Sequence, residues 1–111
     1  GLFIKPLPKL DAVKNLSVEV VDGEIELTFD RNELANNGYT VYYSENVVTD
    51  NEEDLPETFS ILVEQPTSNT VKVKIKVDDI NKSYIFSVCC NHVEGSYNGS
   101  NYQEIIYSPN K

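Results

Sequence analysis

The sequence predicts an all-β protein built as a sandwich of antiparallel strands, and three observations carry this prediction. Apolar residues recur at every second position in segment after segment, which is the spacing that turns one face of an extended strand into a core. Turn-forming residues separate these segments at intervals of about 8 to 12 residues. No segment shows three turns of helical spacing, so we expect no helix longer than one turn.

The first two predicted strands form a hairpin. Apolar side chains alternate with polar ones over residues 16–20 and again over residues 24–29. Between the two segments lies Asp22-Gly23, a pair that favours a tight turn between antiparallel strands.

Three further strands have apolar residues at every second position, and two others show this pattern weakly. The weaker strands cover about residues 58–64 and 102–107. Seven short strands cannot bury their apolar faces as one flat sheet, so we expect them to close into a sandwich, with a small barrel as the alternative. The inward-facing sets of the three clearer strands are Tyr39, Val41 and Tyr43; Val71, Val73, Ile75 and Val77; and Tyr84, Phe86, Val88 and Cys90.

Four segments resemble strands A, B, C and F of the fibronectin type III family in order and spacing. They are residues 15–18, 23–29, 38–44 and 84–88. The resemblance covers about residues 13–108 and implies a Greek-key sandwich of seven antiparallel strands over residues 13–111, preceded by a linker or leading segment over residues 1–12.

The chain departs from the family at two core positions, and a generic immunoglobulin-like sandwich remains the alternative. It contains no Trp, so Phe29 is expected to fill the slot that a Trp usually occupies at the end of strand B. The family has a Leu six residues before its strand-F tyrosine, whereas Ile80 lies four before Tyr84. Whether the Tyr84 hydroxyl bonds back to the preceding turn therefore stays open.

The charge balance argues against nucleic acid as a partner. Eighteen acidic residues against nine basic ones give a net charge of −9, whereas phosphate binding draws on clustered lysines and arginines. Ser83 to Val93, one of the two longest uncharged runs, is about half as long as the roughly 20 apolar residues of a membrane helix. Residues 1–5 show no signal peptide, so we expect a piece of a larger protein that meets a membrane only through that parent.

Two charged clusters are candidate binding sites. Lys72, Lys74 and Lys76 form a row that would suit a polyanion, but Glu24 and Glu26 on the neighbouring strand favour cross-strand charge pairing instead. The acidic loop over residues 45–57 has alternating carboxylates but lacks the glycine and distal glutamate of an EF-hand. We expect a solvated loop and no bound metal.

The cysteines and the single histidine do not form a recognisable catalytic group. Cys89 and Cys90 are adjacent, so an extended strand points them to opposite faces, with Cys90 in the core and Cys89 outward. Cys89 is either a half-covered thiol or a disulfide partner for a neighbouring domain or second chain. His92 is the only histidine, which excludes a multi-histidine metal site. We expect no enzymatic activity and no cofactor.

Outward positions on the predicted C-F-G sheet form a candidate protein-interaction surface. Either Ile106, or Ile105 together with Tyr107, would join them from the last strand. The loop between strands F and G, residues 92–100, carries Tyr97 as a further contact candidate beside a turn at Asn98-Gly99. The outward positions on the third and sixth strands are Tyr42, Ile85 and Cys89.

Three triplets match the N-glycosylation motif, at Asn15, Asn81 and Asn98. Asn81 and Asn98 are the candidate sites because both fall in predicted turns, where they would be accessible in a secreted protein.

The resemblance implies a non-catalytic extracellular or cell-surface module that binds other proteins or neighbouring domains, in adhesion or receptor architecture. Two alternatives stay open: an accessory module of a secreted bacterial carbohydrate-active enzyme, and an intracellular scaffold domain, which two cysteines that do not pair with each other would permit.

Overall fold

A computed structural model describes residues 10–92 and 102–109 of the chain. Within these residues the predicted all-β architecture is confirmed, as seven antiparallel strands in two sheets. The strands are β1 (Ser17–Val21), β2 (Glu24–Asp30), β3 (Tyr39–Glu45), β4 (Phe59–Val63), β5 (Thr70–Ile75), β6 (Tyr84–Cys90) and β7 (Gln103–Tyr107).

One sheet has three strands in the order β1-β2-β5, and the other has four in the order β4-β3-β6-β7. The chain therefore crosses between the sheets after β2, after β4 and again after β5, which is the Greek-key arrangement. Outside the strands, the described residues contain a single 3₁₀ turn over Glu52–Asp54, and Asn51 is its N-cap residue. The Asn51 side chain accepts a hydrogen bond from the Glu53 backbone N–H at 3.0 Å.

Two glycines make turns that other residues would strain. Asp22 and Gly23 have φ values of 54° and 79°, so the predicted β1–β2 hairpin closes with a turn of positive φ at both central positions. Gly38, also at φ 79°, precedes β3 and lies so close to the carbonyl oxygen of Val63 that a Cβ could not fit there.

The core lies between the sheets, where the inward sets of β2, β3, β5 and β6 meet. Phe29 is buried as expected and packs edge-on against Tyr39, with ring centroids 5.0 Å apart. Val20 differs from the prediction because it is exposed: β1 is an edge strand, and no strand covers its free side within the described chain.

The residues before β1 contribute to this core. Leu10 and Val13 are both buried in it, on either side of the predicted boundary between leading segment and domain. Asp11 accepts a contact from the Cys90 thiol at 3.6 Å through its backbone carbonyl. The segment from Leu10 onward is therefore packed against the sandwich.

The connection between β5 and β6 is held by two tyrosine hydroxyls. The Tyr84 hydroxyl donates to the Asp79 carbonyl at 3.0 Å and accepts from the Asp79 N–H at 3.2 Å, which answers the question that the sequence left open. The Tyr107 hydroxyl donates to the Ile80 carbonyl at 2.8 Å. Side chains of β6 and β7 thus fix the turn that brings the chain from one sheet to the other.

Asn32 plays a similar role in the connection between β2 and β3. Its backbone N–H donates to the Tyr39 hydroxyl at 2.9 Å, and its carbonyl accepts from the Gln65 amide at 2.6 Å. Burial raises the pKa of the Tyr39 hydroxyl above its ordinary value, with weaker opposing effects from its hydrogen bonds.

The register of the three-stranded sheet sets Lys74, the middle residue of the predicted lysine row, beside acidic residues. Lys74 lies opposite Glu26 across β2 and β5, and its ammonium group contacts the Asp22 carboxylate at 3.3 Å.

The described part of the chain contains no helix long and apolar enough to cross a membrane.

Candidate functional site

The four-stranded sheet has one side against the core and one side turned outward, and its strand register decides which residues lie outward. Residues directly opposite one another in antiparallel strands share a face, as do residues two apart on one strand. We call the outward set the outer face. It consists of Ser60 and Leu62 on β4; Thr40, Tyr42 and Ser44 on β3; Ile85, Ser87 and Cys89 on β6; and Glu104 and Ile106 on β7.

Apolar side chains on the outer face lie in two rows, with Tyr42 between them. One row has Leu62 and Cys89 on either side of Thr40, and the other has Ile85 opposite Ile106. Leu62 is 80% exposed, Ile106 50% and Tyr42 45%. Tyr102, just before β7, is 60% exposed and lies near the Cys89 end of the sheet.

Polar residues complete the middle row. Tyr42 lies opposite Ser60 on one side and Ser87 on the other, and Ser87 lies opposite Glu104. The outer face is therefore a mixed surface, apolar at its two ends with hydroxyl and carboxylate groups across its middle.

The structure places the predicted residues Tyr42, Ile85 and Cys89 together on this face. It also decides between the alternatives for the last strand: Ile106 points outward, whereas Ile105 and Tyr107 face the core side. Tyr97 and Asn98 lie outside the described residues.

The two adjacent thiols are in contrasting surroundings, as the alternation predicts. Cys90 is fully buried, and the Asn32 side-chain amide approaches its sulfur at 3.6 Å. Cys89 is half-buried on the outer face, where burial raises the pKa of its thiol above the ordinary value. Its reactive thiolate form is therefore disfavoured at neutral pH.

Asn81 is exposed in the turn between β5 and β6, so its side chain is accessible. Its backbone N–H donates to the Asp79 carboxylate at 2.9 Å, which closes a local turn. Ser83, the third residue of that glycosylation triplet, donates its hydroxyl to the Tyr107 carbonyl at 2.8 Å.

Acidic side chains do not converge on one point in the described part of the chain, where no group of three or more His, Cys, Asp or Glu residues could hold a metal ion. The Glu52–Asp54 turn is exposed. The His92 ring lies 3.4 Å from the Asn36 amide, between their Nε2 and Nδ2 atoms.

Sequence reasoning missed a cleft at the β4 edge of the molecule. Tyr43, Phe59, Tyr84 and Asp78 line two adjoining cavities of about 250 and 130 Å³. The cleft joins residues from three separate strands and a loop, so no local pattern announces it. The sequence also did not predict Leu62 on the outer face, because β4 is apolar on both sides.

Neither protein-family models nor curated proteins give a match to this chain. The fold and the surfaces described above are therefore the observations on which a function has to rest.

Proposed function

We propose that this chain is a fibronectin type III-like, non-catalytic protein-interaction module of a larger cell-surface or secreted protein, and that it contacts its partner through the outer face. The observation that carries the proposal is the exposure of Leu62, Tyr42 and Ile106 together on one regular, rigid sheet surface. Exposed apolar side chains grouped in this way mark contact with another protein more often than isolated ones do.

Two features support the family assignment within this proposal. When the seven strands are lettered A, B, C, C′, E, F and G in chain order, the strand orders β1-β2-β5 and β4-β3-β6-β7 become A-B-E and C′-C-F-G. The Tyr84 hydroxyl, bonded to Asp79 five residues earlier, is similar to the tyrosine corner of immunoglobulin-like sandwiches.

A non-catalytic role suits the chemistry of the nucleophiles. The Cys90 thiol is enclosed in the core, and the raised pKa of Cys89 keeps that residue in its unreactive thiol form. A covalent mechanism would need a thiolate beside a general base at an open position.

The economical partner is a neighbouring domain or another protein of the same assembly. In such contacts an aromatic near the centre of the face contributes most of the affinity, and here Tyr42 occupies that position between the two apolar rows.

Site-specific photocrosslinking in the protein's own cells tests the proposal. A photoreactive residue at position 42 should form adducts with a discrete partner, whereas the same residue at Lys72, exposed on the opposite sheet, should not. Adding Ile85→Glu should reduce the adducts at position 42 while the circular dichroism spectrum stays unchanged. Equal adducts at both positions, or none at position 42, would contradict the proposal.

A further inference from the structure

The free edge of β4 is a second surface of unusual character. β4 pairs with β3 on one side, and within residues 10–92 and 102–109 no strand pairs with its other side. Phe59–Val63 contains no Pro and no charged residue, the usual devices by which proteins protect a sheet edge from pairing with another chain. Its backbone is therefore open to an added strand.

Aromatic rings lead from the core out to this edge. Phe86 is buried and stacks on Tyr43 with centroids 5.6 Å apart, and Tyr43 packs against Phe59 at 5.4 Å. Phe59, the first residue of β4, is 46% exposed. The Phe59 ring thus packs on Tyr43, which in turn stacks on the buried Phe86, and it remains partly exposed beside the cleft.

Three acidic and two basic side chains line the two cavities beside this ring. Glu45, Glu57 and Asp78 line the larger cavity together with Lys82, which contacts Glu45 at 3.7 Å, and Lys76 lines the smaller one. The segment over residues 45–64, which includes β4, holds seven acidic residues and no basic one. An exposed aromatic ring beside carboxylates that outnumber their cations attracts a guanidinium or ammonium group.

We propose that the β4 edge binds an extended basic segment of another protein, which adds as a strand to β4 and places an arginine or lysine side chain over Phe59, within reach of Glu57 and Asp78. Charge decides the occupant. A second copy of this chain pairing β4 with β4 would bring two segments of seven acidic residues together, and that repulsion disfavours it. The site is separate from the outer face, because it uses the strand edge and the opposite side of β4.

The test titrates the 111-residue chain with a ten-residue peptide of alternating arginine and valine, followed by NMR and fluorescence anisotropy. Two matched peptides accompany it: one has glutamine in place of arginine, and the other keeps every arginine but replaces alternate valines with proline, which prevents strand pairing. We expect the backbone shifts to concentrate on residues 59–63, and both matched peptides to bind at least about tenfold more weakly, since each lacks one of the two required interactions.

Variants of the chain locate the site. Glu57→Gln should weaken binding of the arginine peptide about two- to fivefold, the range expected for one charge contact, and Phe59→Thr should weaken it by a similar factor. Glu19→Gln makes the same charge change on the other sheet and should leave binding unchanged. The Glu57→Gln variant keeps the test decisive if Phe59→Thr does not fold.

Three results would overturn the proposal. Equal weakening by Glu19→Gln and Glu57→Gln would show that the acidic surface attracts the peptide without a defined site. Equal binding of the proline peptide would exclude strand addition. A concentration-dependent dimer in sedimentation velocity, accompanied by concentration-dependent NMR shifts of residues 59–63, would show that a second copy occupies the edge.

Discussion

Cys89 and Cys90 show how one residue of displacement along a strand reverses an environment. Cys90 lies in the core and Cys89 on the outer face, because successive side chains of β6 point to opposite sides of the sheet. This contrast follows from alternation alone, and the sequence predicts it. The raised pKa of Cys89 does not follow from alternation, because it depends on burial by other parts of the fold.

Thiol labelling measures this contrast. Iodoacetamide should modify about one thiol per folded chain, at position 89, and the Cys89→Ser variant should label only on unfolding. The midpoint of labelling against pH should lie higher in the folded chain than in urea, since burial raises the folded pKa. Stability linked to Cys89 is then present below the unfolded pKa and is lost as pH rises through the folded one. Two thiols that label at equal rates would contradict the structure.

A second prediction at this scale concerns the Tyr84 hydroxyl, which bonds both backbone groups of Asp79. Tyr84→Phe removes both bonds and leaves the ring in the core, so we expect the free energy of unfolding to fall by about 1 to 2 kcal/mol. Tyr42→Phe, at an exposed position, is the control and should change it by less than about 0.5 kcal/mol. Urea denaturation of the two variants makes the comparison, and equal losses would show that the corner contributes nothing.

At the scale of elements, Gly38 and Gly23 share the same φ but differ in surroundings. A Cβ at Gly23 meets no atom within 4 Å, whereas one at Gly38 meets the backbone of Val63. Gly23→Ala should therefore cost only the strain of positive φ, about 1 kcal/mol. Gly38→Ala should cost about 3 kcal/mol, because β3 and the end of β4 must also separate. Thermal and urea unfolding give both values, and a smaller loss for Gly38→Ala than for Gly23→Ala would refute this account of the turn.

Elements differ in how far the sequence predicts them. The strict alternation of β2 and β5 identifies both the strand and its buried face, because only one face is apolar. β4 and β7 are apolar on both sides, so Leu62 and Ile106 could not be assigned until the register was known. The cleft around Phe59 and the contacts of Asn32 join residues far apart in sequence, and no local signal reports them.

At the scale of the whole molecule, the net charge of −9 has a definite distribution. Seven of the eighteen acidic residues lie within residues 45–64, which include β4, while Lys72 and Lys74 lie on the other sheet, where Lys74 is next to Glu26 and Asp22. The molecule thus has an acidic edge and a mixed, partly apolar outer face. We assign these two surfaces to different contacts.

Salt separates the two surfaces experimentally. Binding at the β4 edge rests on charge and should weaken several-fold between about 50 and 300 mM salt, whereas contacts of the outer face rest on apolar burial and should change little. Anisotropy titrations of the basic peptide, beside crosslinking yields at position 42 measured on the isolated native assembly over the same salt range, give the comparison. A loss of both with salt would indicate one electrostatic surface instead of two.

Hydroxyl-radical footprinting measures whether the outer face is covered in the native assembly. Oxidation of Tyr42, Leu62 and Ile106 should be strong in the isolated chain, since all three are exposed, and should fall several-fold in the native assembly. Val20, exposed on the other sheet, is the internal reference and should be oxidised equally in both. Unchanged oxidation of all three outer-face residues in the assembly would contradict the account.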